Sequence, residues 1–324
     1  MKIIKRILAI AVSLGLLAWL MSDNRWQGLG EVARRVDGLT LGLATGGFLL
    51  SYLLRTLRVF DEFRAQATGR FGACLRIVLI HNAMVNVVPF RGGEAAFPLL
   101  LRQSFGIALP RAVASLFWFR LQDAFVVLAL AALVWPGLHP GLKGLAVAGV
   151  LALAWWLPRW ARAPHDWAEG KAMTARLGKV RDAFAESTRH ARFGWAWTLA
   201  NWTVKLAAQA GLLAALLPAG LAIGAAGALG AELAAILPIQ GVAGFGTYEA
   251  GAAAALLPSG IPLAAGLQAA LALHLFVIAC SVTAGAIAWL FPAPAAHQAS
   301  AAAASDLQSA SSDADGAQTR ISAE

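Results

Sequence analysis

A series of apolar runs constrains this chain more than any other feature, because several approach or exceed the ~20 residues an α-helix needs to cross a bilayer. Full spans read at about 4–20, 39–55, 111–134, 142–158, 194–217 and 263–291. Inside a bilayer the backbone finds no water to bond, so each run must be a helix. The chain is therefore expected to be an all-α polytopic membrane protein. Composition agrees: 59% of residues are apolar and 13% charged, with a mean hydropathy of +0.66. An ordinary soluble domain carries roughly 25% charged residues. Trp135, Trp155, Trp156, Trp160, Trp195, Trp197 and Trp289 fall near the ends of the runs, as an aromatic belt does.

The net charge of +9 reads as a topology signal and not as nucleic-acid binding, since no nucleic-acid module accompanies it. Lys2, Lys5 and Arg6 place the N-terminus in the cytoplasm. The loop expected after the second span carries Arg55, Arg58, Arg64 and Arg70, and the 159–192 loop carries eight Lys and Arg. Both are expected inside. The apolar start resembles a signal peptide, but Trp19, Leu20 and Met21 stand where small residues would be cut, so an uncleaved helix is expected. Residues 293–324 are poor in bulky apolar side chains and read as a disordered cytoplasmic tail. Within 165–190, Met173, Leu177, Val180 and Phe184 recur at helical spacing among basic residues, which predicts a helix lying on the inner leaflet. Cys74 and Cys280 sit in apolar segments, so neither a disulfide framework nor a metal motif is implied, and no cofactor is expected.

Two apolar segments are interrupted. Residues 71–103 contain NVVPFRGGE (86–94), and 221–257 contain LPIQGVAGFGTYE (237–249). The charge pattern requires the first to begin and end inside, so it is expected to enter and return as a re-entrant hairpin with arms at about 72–88 and 94–103. The second is expected to enter from the opposite face. Gly93 is expected to take a positive φ and to allow close backbone approach.

The two segments look like copies. Each joins proline, glycines and a glutamate, and each is followed by a Gly-Ile start, at 106 and 260, that leads to Arg120 or His274. The expected organisation is a first membrane repeat over 1–135 and a second over 136–292. With three full crossings and one hairpin each, an odd number, the second copy must be inverted. Inverted repeats with broken helices near the midplane are the architecture of secondary transporters.

Charged residues inside membrane segments are costly and are expected to face a cavity or one another. Arg91, Glu94, Arg120, Asp123, Lys205, Glu232 and Glu249 are of this kind. Arg120 and Asp123 share a helix face. Lys205 and Glu232 stand at similar distances from the turn LPAGL (217–221) and are expected to form a structural ion pair. Asn82 and Asn86 form a polar stripe on the arm before Pro89, and Asn201, Lys205 and Gln209 form another. His81 and His274 are expected to be bonded to neighbours. Gly42–Gly46 and Gly220–Gly224 are small-residue pairs expected at close helix contacts.

NVVPFRGGE, then FRLQD (119–123), then LPIQGVAGFGTYE resemble the transmembrane region of bacterial lysylphosphatidylglycerol synthases, a broad flippase-like family of inner-membrane proteins. The resemblance extends to about residue 291. It implies lipid translocation, with Arg91, Gly92, Glu94, Arg120, Asp123, Gly244, Gly246 and Glu249 at matching positions. Together with Asn82, Asn86, Gly93 and His274 these form the expected substrate path. No aminoacyl-transferase domain follows in the sequence, so synthase activity is not expected. The expected partner is a membrane lipid: a phospholipid, a polyprenyl-phosphate lipid or a hopanoid. Two rivals stand beside the transporter: a non-transporting subunit partnered with a lipid-synthesis enzyme, and a membrane-embedded transferase using Glu94, Asp123 or a histidine as base.

Overall fold

The computed structural model describes residues 29–88, 92–135, 137–167, 172–236 and 242–290. The first span expected at 4–20, the tail at 293–324 and Arg91 lie outside the described residues. Every regular element among them is helical. In chain order these are α1 (Leu29–Ala33), α2 (Gly38–Glu62), α3 (Arg64–Ala67), α4 (Phe71–Val87), α5 (Ala96–Phe105), α6 (Leu109–Val134), α7 (Pro140–Arg162), α8 (Ala172–Ser187), α9 (Gly194–Leu216), α10 (Leu221–Ile236), α11 (Thr247–Leu256) and α12 (Leu263–Leu290). Short 3₁₀ turns at Gly92–Ala95 and Val242–Gly244 precede α5 and α11.

Four of these helices, α2, α6, α7 and α12, are long and apolar enough to cross a membrane. α9, expected as a full span, qualifies only together with α10, to which it is joined at a 116° bend. Its polar stripe explains this, since Asn201, Lys205 and Gln209 dilute an otherwise apolar helix. α4 is a shorter apolar helix.

The ends of α2 need a correction. Asp37 caps its N-terminus, accepting from Thr40 N at 2.7 Å. At the other end the helix runs on to Glu62, so Arg55 and Arg58 lie within it and not in a loop. Ser51, Arg55, Arg58 and Glu62 recur at spacings of four, three and four residues, which keeps them on one face. That face is turned into the protein: Arg58 is 2% exposed and Glu62 likewise.

α2 packs along α9, α4 along α12, and α10 against α6, while α11 lies between α10 and α12. Glycine makes the second half tight. A Cβ at Gly224 would fall 2.2 Å from Ala210 O on α9. One at Gly230 would fall 2.4 Å from Gly251 O on α11, and one at Gly251 would fall 2.5 Å from Gly230 O. Gly47, by contrast with the expected Gly42 and Gly46, makes the α2 contact. Its Cβ would meet Ala208 Cβ at 2.7 Å, whereas Gly42 and Gly46 face open space. α7 packs on α6 and α8 and buries only Ala154, Pro158 and Ala161. On α8 the expected apolar stripe divides: Met173, Leu177 and Val180 are exposed, and Phe184 is buried against Trp118.

Candidate functional site

Between the two interrupted helix pairs lies a cavity of about 460 Å³, within the roughly 300–1,000 Å³ usual for small-molecule sites. Residues flanking both interruptions line it: Val88 and Glu94 from the first, Ile236, Ala243 and Gly244 from the second. Of the residues expected along a substrate path, Asn82, Asn86, Glu94, Arg120, Asp123, Gly244 and His274 line this cavity. Lys205 and Glu232, expected as a structural pair, line it too. Gly92, Gly93, Gly246 and Glu249 are not among the lining residues, and Arg91 is outside the described residues.

α5 is held to its neighbours by charge. Glu94 Oε1 accepts from Arg120 Nη2 at 2.7 Å, and Glu94 Oε2 stands 3.2 Å from His81 Nε2. One carboxylate thereby ties the start of the second arm to α4 and α6. Gly93 brings the arms together: a Cβ there would lie 2.0 Å from Met84 O. The close approach is as expected, but Gly93 is not among the positive-φ residues. Positive φ occurs in the other turn, at Ala243 (54°), Gly244 (84°) and Gly246 (84°).

The second turn repeats the pattern with different side chains. Glu249 Oε2 accepts from Gly246 N at 2.7 Å, closing the N-terminus of α11. Its Oε1 stands 2.7 Å from His274 Nδ1 on α12. His274 is stacked on Tyr248, with ring centroids 4.3 Å apart. Glu249 thus reaches the cavity only through His274.

α2 and α9 supply the remaining wall. Ser51 Oγ donates to Asn201 Oδ1 at 2.9 Å where the two helices meet. One turn on along each helix stands a cation. Arg55 Nη1 donates to Asn82 Oδ1 on α4 at 2.8 Å. Lys205 Nζ lies 2.7 Å from Glu232 Oε1 on α10. Gln209 Nε2 also donates to that oxygen, at 2.6 Å, and to Tyr248 Oη at 3.0 Å.

Asp123 has a partner the sequence did not suggest. Its Oδ1 accepts from Arg58 Nη1 at 2.7 Å and from Trp202 Nε1 at 2.9 Å, while Arg120 is farther, at 3.7 Å. Arg58 also donates to Phe119 O and Gln122 Oε1 and lies 4.2 Å over the Phe119 ring. Asn86 Nδ2 donates to Ser281 Oγ on α12 at 2.7 Å. The residues overlooked in the sequence, Arg55 and Arg58 above all, carried a signal in their spacing. The arginine-rich composition after the second span masked it as a loop.

Among the described residues no group of three or more His, Cys, Asp or Glu side chains could hold a metal ion. The arrangement suits electrostatic recognition of a polar group: donors from Arg55, Arg120 and Lys205 and acceptors from three carboxylates line one cavity.

Comparison with curated proteins gives no match, and neither does comparison with solved structures. The family model described as the lysylphosphatidylglycerol synthase TM region matches residues 6–285. With apolar helices long enough to cross a membrane, this makes the chain a multi-pass membrane protein. The match takes in most of its length and all of the cavity, so the chain belongs to the lysylphosphatidylglycerol synthase transmembrane-region family.

Proposed function

We propose that the chain is a lipid flippase or transporter of the bacterial inner membrane. In this reading a polar head group crosses through the cavity while its acyl chains stay in the bilayer. The observation that carries it is where the helix interruptions fall: residues beside both of them line one charged cavity. Interrupted helices within a membrane are tolerated only inside protein or beside water, and an ion pair alone does not require them. Phospholipids, polyprenyl-phosphate lipids and hopanoids are the candidate cargo, both termini lie in the cytoplasm, and the chain performs no aminoacyl transfer.

The two halves, 1–135 and 136–292, act as an inverted repeat in this account. α2, α4–α5 and α6 correspond to α9, α10–α11 and α12. Support comes from the exchanged packing, α4 on α12 and α10 on α6, which a two-fold relation would produce. It comes also from matched contacts, Glu94 with Arg120 and Glu249 with His274. α5, with 10 residues, rises about 15 Å, half of the ~30 Å hydrocarbon thickness, as a re-entrant arm would.

The test is movement of a fluorescent phospholipid between leaflets of vesicles containing the purified protein, read by a membrane-impermeant quencher. Wild type should accelerate movement over empty vesicles. Glu94→Gln keeps the side chain's shape and removes its charge, so it should reach the membrane at near-normal level and lose most of the acceleration. Chemically altered lipid would replace the transporter by a transferase, and movement only with an added second protein would make the chain a subunit. Normal transport by the variant would leave the Glu94 carboxylate without the assigned role.

A further inference from the structure

We infer that the cavity selects an anionic phosphodiester head group that carries no amine, with Arg55 as its anchor. The inference rests on the transporter reading only for what happens to the lipid once bound.

The argument is one of unequal partners. Each carboxylate in the cavity wall already touches a cation: Glu94 with Arg120, Asp123 with Arg58, Glu232 with Lys205, all at 2.7 Å. His274 likewise touches Glu249. Among the described residues Arg55 is the lining cation whose contacts include no carboxylate. Its side-chain bond goes to Asn82, a neutral amide. The amide's own Nδ2 is buried and has no hydrogen-bond partner.

Position makes the contrast pointed. Ser51, Arg55 and Asn82 stand 150 residues before Asn201, Lys205 and Glu232. The same α2–α4 and α9–α10 contact thus carries a carboxylate in the second half and an amide in the first. Arg55 is half-buried, so its guanidinium is bonded to a neutral amide on one side and open to the cavity on the other. In the second half the counter-charge is built in as Glu232; in the first half the matching position is the neutral Asn82, which leaves Arg55 as the cation an anionic ligand would meet.

A phosphodiester supplies one negative charge and accepts in-plane hydrogen bonds, the geometry a guanidinium donates best. Asn82 Nδ2 adds a donor beside it. An ammonium group, by contrast, would need a carboxylate, and each one in the wall is taken. Zwitterionic and cationic head groups are therefore disfavoured. Phe48 and Tyr52 on α2 and Val85 on α4 line the same cavity. They offer an apolar wall to the glycerol and first acyl carbons, which favours a lipid over a free phosphate.

The experiment measures binding to the purified full chain in detergent, using dihexanoyl-phosphatidylglycerol, the matching phosphatidylcholine and phosphatidylethanolamine, glycerol 3-phosphate and inorganic phosphate. Phosphatidylglycerol should bind at least about tenfold more tightly than either zwitterion, the discrimination expected of one charge-assisted contact out of water. Arg55→Gln should remove that preference. Asn82→Asp should remove it too, because it gives Arg55 the partner Lys205 already has, and it does so without leaving a buried charge unpaired. Equal affinity for the zwitterions, or a preference that survives Asn82→Asp, overturns the inference. Tighter binding of inorganic phosphate or glycerol 3-phosphate than of the lipid overturns its lipid part. Selective binding without movement in vesicles would sink the transporter reading and leave this one standing; movement without selectivity would do the reverse.

Discussion

Replacing Arg58 by methionine tests the most deeply buried ion pair. The Arg58 side chain is 2% exposed and that of Asp123 8%. Removal of the guanidinium takes away the 2.7 Å contact to Asp123 and the bond to Gln122, and leaves Phe119 O without that donor. Asp123 would keep Trp202 Nε1 at 2.9 Å and a distant Arg120 at 3.7 Å. That is too little for a buried carboxylate, and breaking such a pair from one side costs about 3–5 kcal/mol. At roughly 2–4 °C per kcal/mol for a chain of this class of size, the apparent melting midpoint should fall by about 6–20 °C. Asp123→Leu alone should fall comparably, because it strands Arg58. The double variant Arg58→Met/Asp123→Leu should recover most of the loss, since a well-packed apolar pair in place of a buried ion pair is often neutral. The assay is the temperature at which the purified protein leaves its monodisperse size-exclusion peak, at fixed detergent and heating time. A double variant as unstable as the worse single one would refute the pairing argument.

Lys205 and Glu232 invite the same cycle: either single apolar replacement should lower membrane protein level, and the double should restore it, as immunoblotting of membranes would show. Gly93→Ala should destabilise strongly, because its Cβ would sit 2.0 Å from Met84 O and force α4 and the following turn apart. Gly42→Ala, with nothing within 4 Å, should instead be neutral or stabilise by up to about 1 kcal/mol; the two melting midpoints decide it. Single cysteines at 104–108, in a background without Cys74 and Cys280, should label only from the cytoplasm, and ones at 258–261 only from outside. Labelling from the wrong face at either place removes the inverted-hairpin account.

The helices were legible because lipid demands them. Apolar runs at 111–134, 142–158 and 263–291 become α6, α7 and α12 nearly residue for residue. Of the glycines and glutamates in the two interruptions, Glu94 and Gly244 line the cavity, whereas Gly92, Gly93, Gly246 and Glu249 stand behind it. What the sequence hid follows from one physical fact: a cation's cost depends on its partner, and partners are remote in sequence. Arg58 reads as cytoplasmic until Asp123, 65 residues on, is seen to neutralise it. Gly42 and Gly46 show the converse. A small-residue spacing records that close approach is permitted and says nothing about which face of the helix has a neighbour, and here that neighbour meets Gly47.

The glycine contacts between α10 and α11 bear on how such a molecule would move. Backbone lies against backbone at Gly230 and Gly251, and α10 is pressed equally closely on α9 at Gly224. At these points no side chain stands between the backbones to absorb a shear, and Leu213 of α9 and Leu256 of α11 close on Gly227 between them, so α9, α10 and α11 should travel as one slab. α5 has no comparable seam; beyond Gly93 its start is tethered through the Glu94 carboxylate to Arg120 and His81. Any rocking of one half past the other would then have a stiff partner and a pliant one. Deuterium uptake should report that asymmetry directly, slower along α10 than along α5.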